Sequence, residues 1–113
     1  REGSIIIHKP KGNKSAQIAD YEHNIDSAVK VKVWPNPFSE KLLFEFSSPV
    51  NTHAVLDLYD INGRKIKTLF DDGIRSQETM FVEYHPENVI TQILIYRLRI
   101  GENMFTERII YKR

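Results

Sequence analysis

Leu56-Asp57-Leu58-Tyr59-Asp60-Ile61-Asn62-Gly63-Arg64-Lys65-Ile66 is the stretch whose reading decides the fold. Ala54, Leu56 and Leu58 fall on one face of an extended chain. Asn62-Gly63 is the strongest hairpin dipeptide in the sequence, because both residues tolerate positive φ. Arg64 to Phe70 then returns as a partner strand, with Ile66 alternating against Lys65 and Lys67. The stretch therefore reads as two antiparallel strands joined by a tight turn.

The same pattern continues on both sides. Val31 to Trp34 is a short strand stopped by Pro35-Asn36-Pro37, where two prolines fix φ and remove two amide donors. Lys41 to Ser47 alternates cleanly, with Leu42, Phe44 and Phe46 on one face and Lys41 and Glu45 on the other. Ser48-Pro49-Val50-Asn51 ends it. Beyond the central hairpin, Asp71-Asp72-Gly73 reads as another turn, and Thr79 to Tyr84 as a strand ended by His85-Pro86. Gln92 to Ile100 places Leu94, Tyr96, Leu98 and Ile100 opposite Arg97 and Arg99. Gly101-Glu102-Asn103 is a tight turn, and Met104 to Tyr111 the last strand. About seven short strands with short connections predict an antiparallel, seven-stranded immunoglobulin-like β-sandwich. Its expected core is Leu42, Phe44, Phe46, Leu56, Leu58, Ile66, Leu94, Tyr96 and Leu98.

Residues 1–30 have a different character. Ser4 to His8 reads as one short strand, the tail of a preceding domain. Lys9 to Lys30 is polar, with Pro and Gly near its start, and reads as a linker. Ala16 to Ile25 carries at most a helical turn. The expected division is a preceding-domain tail and linker over 1–30, then a sandwich domain over 31–113. A start at Arg1 rather than Met reads as a piece of a longer protein, so a missing leader says nothing about location.

Composition narrows the function classes. The 113 residues carry a net charge of +1, without the basic excess that marks a nucleic-acid binder. Hydrophobic residues make up 41%, an ordinary globular share. No apolar run approaches the roughly 20 residues that span a bilayer as a helix. Without cysteine there is no disulfide, no thiolate nucleophile and no Cys-based zinc site. His8, His23, His53 and His85 are scattered without ligand spacing, so no metal or other cofactor is expected. Asp60-Ile61-Asn62-Gly63 lacks the ligand count of a calcium loop. Gly12-Asn13-Lys14-Ser15 imitates the end of a phosphate loop without its upstream glycine. No serine stands with a histidine and a carboxylate in a recognisable order, so no catalytic site is expected. Trp34, Tyr59, Tyr84 and Tyr96 fit core packing better than a sugar-binding face.

Four motifs in order resemble the C-terminal sorting domain family of the type IX (Por) secretion system of Bacteroidetes. They are Val33-Trp34-Pro35-Asn36-Pro37-Phe38, then Leu56 to Ile66 with Tyr59, Asp60 and Gly63, then Ile95-Tyr96-Arg97-Leu98, and finally Phe105 to Arg113 with its basic end. The resemblance covers residues 31–113. Gln92 and Leu94 stand where the family usually has a glycine and an aromatic, and Glu107 where a lysine is common.

The resemblance implies a non-enzymatic sorting signal that directs an upstream cargo across the outer membrane. Its partners would be the outer-membrane translocon, a shuttle barrel protein and a sortase-like cysteine peptidase. The cargo would pass through the periplasm to the cell surface or the medium. The expected recognition segment is Arg108, Ile109, Ile110, Tyr111, Lys112 and Arg113: an end strand offers unpaired backbone groups for strand addition, and its cations steer docking. Pro35, Asn36, Pro37, Asp60, Asn62, Gly63, Tyr96 and Gly101 are expected to be structural motif positions, and the linker the cleavage region. A retained interaction domain of a secretion component and a carbohydrate-binding or adhesive sandwich are the alternatives. Exposed edge strands leave a homodimer open.

Overall fold

The computed structural model of the chain describes residues 3–8, 28–86 and 92–112. The helical turn over 16–25, most of the linker, His23 and Arg113 lie outside them. The described residues form eight strands: β1 (Ser4–His8), β2 (Lys30–Trp34), β3 (Leu42–Ser47), β4 (Thr52–Asp60), β5 (Lys65–Ile74), β6 (Met80–His85), β7 (Ile93–Ile100) and β8 (Asn103–Ile110). They make two four-stranded antiparallel sheets, ordered β1-β6-β3-β2 and β5-β4-β7-β8. The all-β sandwich expected from the alternation is therefore present, with eight strands in place of seven. The added one is β1, which pairs with β6 from Ser4↔His85 to His8↔Phe81.

The core follows from the pleat, which sends every second side chain inward. Leu42, Phe44 and Phe46 of the first sheet and Ala54, Leu56, Leu58, Leu94, Leu98 and Ile100 of the second are all buried. Two T-shaped ring contacts join the layers, Phe44 with Tyr96 at 5.4 Å and Phe46 with Phe70 at 5.5 Å between centroids. Such pairs each add roughly 0.5–1.5 kcal/mol beyond area burial.

Strand β5 departs from the expected pattern in two ways. Its pairing with β4 slips between Leu56 and Asp57 and again between Leu58 and Tyr59. Two residues of a bulged strand then oppose one on the partner, so the in–out alternation breaks. Adjacent Leu69 and Phe70 are consequently both buried, while Ile66, expected in the core, is only half-buried against it. Asp71-Asp72-Gly73, expected as a turn, lies inside β5, where His53 pairs with Gly73 and Val55 with Asp71. The ladder with β4 holds these turn-forming residues extended.

The aromatic residues do not share a face. Tyr84 and Tyr96 are buried, and Trp34 and Tyr59 belong to different sheets.

Phe44 is 0% exposed and touches both layers. Phe44→Ala is expected to cost about 3–5 kcal/mol, read as a shift of the midpoint in a urea melt. A cost below about 1 kcal/mol would contradict the core described.

Candidate functional site

The last strand is built from both ends of the sandwich domain. β8 pairs with β7 from Ile93↔Ile110 to Ile100↔Asn103. The joining turn puts Gly101 at φ 62°, and the Gly101 amide donates to the His53 carbonyl at 3.0 Å. Positive φ at the first central residue is the demand of a two-residue hairpin turn that matches strand twist. A side chain here would also meet the Thr52 hydroxyl at 3.0 Å. Across the ladder, Tyr96 faces Glu107, and its hydroxyl donates to Glu107 Oε1 at 2.9 Å. Burial and the neighbouring carboxylate push the Tyr96 phenol above its ordinary pKa. Glu107 is thus the acceptor for a buried tyrosine.

Backbone groups along β8 alternate between facing β7 and facing outward. The Tyr111 amide donates to the Gln92 carbonyl at 2.8 Å, which sets the outward set as Met104, Thr106, Arg108, Ile110 and Lys112. The C-terminal part of that set is occupied. Asn36 Oδ1 accepts the Ile110 amide at 3.0 Å, and Asn36 Nδ2 donates to the Arg108 carbonyl at 3.3 Å. The Phe38 amide donates to the Ile110 carbonyl at 2.9 Å, and the Lys112 amide donates to the Phe38 carbonyl at 2.7 Å. Phe38 and Tyr111 form a parallel bridge, with their rings 5.2 Å apart, and Phe38 is 1% exposed. The Pro35-Asn36-Pro37-Phe38 segment therefore acts as a short extra strand clipped onto the end of β8. Its prolines supply no donors, and Asn36 pairs with β8 through its side chain, which carries both a donor and an acceptor.

This arrangement divides the expected recognition segment. Arg108 and Lys112 are exposed, Ile110 is 44% exposed, Ile109 is 1% exposed, and Tyr111 is half-buried on Phe38. The expected strand addition along 110–112 finds both outward groups of Ile110 and the Lys112 amide already paired. Phe38 was missed as a contributor. The signal for it was a large apolar residue directly after two prolines, where a plain corner needs none.

The central turn is ordered by one carboxylate. Asp60 Oδ1 accepts the amides of Asn62 and Arg64, each at 2.9 Å, and the Gly63 amide donates to the Asp60 carbonyl at 3.0 Å. Only Gly63 takes positive φ, at 85°. The two-residue turn expected at Asn62-Gly63 is instead a longer loop centred on Ile61 and Asn62, with glycine closing it. The Arg64 amide, before other contacts, holds the Asp60 carboxyl below its ordinary 3.8. A hydrogen bond from His8, with Lys41 beside it, likewise holds Glu83 below its ordinary 4.5. Among the described residues, no three His, Cys, Asp or Glu side chains converge as metal ligands.

A family model described as "Secretion system C-terminal sorting domain" matches residues 32–112. No curated protein and no solved structure matches the chain.

Two outcomes test the geometry. Asn36→Ala removes two hydrogen bonds to β8 and is expected to cost about 1–3 kcal/mol in a urea melt. No loss would contradict the clip. Both lowered carboxyls stabilise the fold above their ordinary values, and this contribution disappears as pH falls through their lower folded values. Stability should therefore drop below about pH 4, with a shallower drop in Asp60→Asn. Identical acid limbs in the two proteins would contradict the role given to Asp60.

Proposed function

The chain belongs to the secretion-system C-terminal sorting domain family, and from that premise we propose how it serves as a sorting signal for type IX secretion. The family is non-catalytic, and it directs proteins to the cell surface or the medium. The outer-membrane translocon and its shuttle barrel protein read Arg108 and Ile110 of β8 and the cations that follow it, Lys112 and Arg113. The observation that carries this reading is the clip: four hydrogen bonds from Asn36 and Phe38 fix the last strand while Ile110 stays 44% exposed. A fixed apolar side chain between cations loses little freedom on docking, and the cations speed encounter with an acidic surface.

Cargo crosses the periplasm with the domain attached. A sortase-like cysteine peptidase then cuts within residues 9–30, so residues 31–113 are released without the β1 strand that pairs with β6. Polar chain of that composition suits proteolysis. The cargo is joined to the cell surface after cleavage.

The test fuses the chain to an inert periplasmic reporter in a host with the secretion system intact. Ile110→Ser combined with Lys112→Glu changes exposed side chains and leaves the clip's backbone bonds in place. Export of this fusion is expected to fall at least fivefold, with the reporter held in the periplasm. Undiminished export, with the variant folded, would overturn the assignment.

A further inference from the structure

The clip fills only part of the outer edge of β8. Beyond Arg108 toward the turn, the outward backbone groups of Met104 and Thr106 and the Arg108 amide have no partner among the described residues. Within residues 32–112 the other edge strands are guarded. β2 carries Lys32, and β5 carries Lys65, Asp71 and Asp72 together with its two register slips. Charges and bulges of this kind block unwanted strand pairing. β8 carries Glu107 and Arg108 at the far end of its free stretch, whereas Met104 and Thr106 are uncharged and Met104 is 51% exposed.

The outer face beside this free edge is basic. Arg99 of β7 stands opposite Met104, and Arg108 closes the other end of the free stretch. Both are exposed, and neither forms an ion pair among the described residues. Arg97, between them on β7, lies over the Tyr59 ring at 5.0 Å. The carboxylates nearby are otherwise engaged or lie beyond the edge: Asp57 accepts from Thr68, Glu107 from Tyr96, and Glu102 sits in the turn. Met104 and Arg108 are an even number of residues apart, so they share a face, about 13 Å from each other at roughly 3.3 Å per residue.

We propose that the free edge over Met104–Arg108 takes an extended acidic peptide segment of a partner protein as a fifth strand of the second sheet, with carboxylates four residues apart reaching Arg99 and Arg108. Backbone bonds supply the attachment, and the two guanidiniums select the charge and fix the register. An anionic lipid surface would use the arginines but leave the backbone groups unpaired, so the edge favours the peptide. The site shares Arg108 with the side chains assigned above to export and does not depend on Ile110, Lys112 or Arg113. Peptide binding in solution and export in cells can fail separately.

The test titrates the isotope-labelled 113-residue chain with a synthetic Thr-Glu-Thr-Val-Thr-Glu-Thr peptide, blocked at both ends. A second titration uses the same peptide with lysine in place of glutamate. Amide shifts are expected at Met104, Thr106 and Arg108, with the lysine peptide at least tenfold weaker. Thr106→Pro removes an outward donor without touching the ladder to β7 and should abolish binding. Arg99→Glu with Arg108→Glu leaves every backbone bond intact and should reverse the charge preference, which keeps the test decisive if the proline variant fails to fold. The proposal is overturned by shifts elsewhere, by equal binding of the two peptides, or by no binding at millimolar peptide. It is also overturned if vesicles with anionic lipid bind through the arginines and the peptide does not.

Discussion

One asparagine side chain standing in for backbone is the contact on which the display of the last strand depends. Asn36 lies between two prolines that cannot donate, and it pairs with the Ile110 amide and the Arg108 carbonyl from 74 and 72 residues away. Closing so long a loop is entropically costly and is justified only if the joined parts bury surface. Phe38 does so, entering the core at 1% exposure beside Tyr111. The two bonds and the buried ring act together to hold β8 as part of the sandwich.

Fixing that strand has two consequences for recognition. Both outward groups of Ile110 and the Lys112 amide are withdrawn from partners, so recognition there passes to side chains. Groups over 104–108 remain open, and there a partner can use backbone. A single strand thus offers two chemically different surfaces in sequence. Both lie on the second sheet, whose inner face is held by Leu94, Leu98, Ile100 and Ile109 at no more than 1% exposure each. The support is rigid, which suits a surface that must be read in one register.

Much of this was legible in the sequence because strand alternation is local. Leu42, Phe44 and Phe46 announced β3, and Leu94 to Ile100 announced β7, by a period that needs no knowledge of the partner strand. The resemblance drawn from four ordered motifs named the family that residues 32–112 match. What escaped was non-local. The burial of Leu69 and the partial exposure of Ile66 depend on slips against β4. Asp71-Asp72-Gly73 looks like a turn until the ladder to His53 and Val55 is supplied. Glu107 looked anomalous until Tyr96 was placed across from it. Pro35-Asn36-Pro37 was legible as a corner, but nothing near it in sequence shows the strand it holds.

Native-state amide hydrogen exchange of the free protein tests this division of β8 most directly. Amides bonded in stable structure exchange only through opening, whereas unpaired edge amides exchange freely. The account predicts slow exchange at Ile110 and Lys112 and fast exchange at Met104 and Thr106, a polarity opposite to ordinary fraying toward a terminus. Fast exchange at Ile110 and Lys112, or protection spread evenly along the strand, would contradict it.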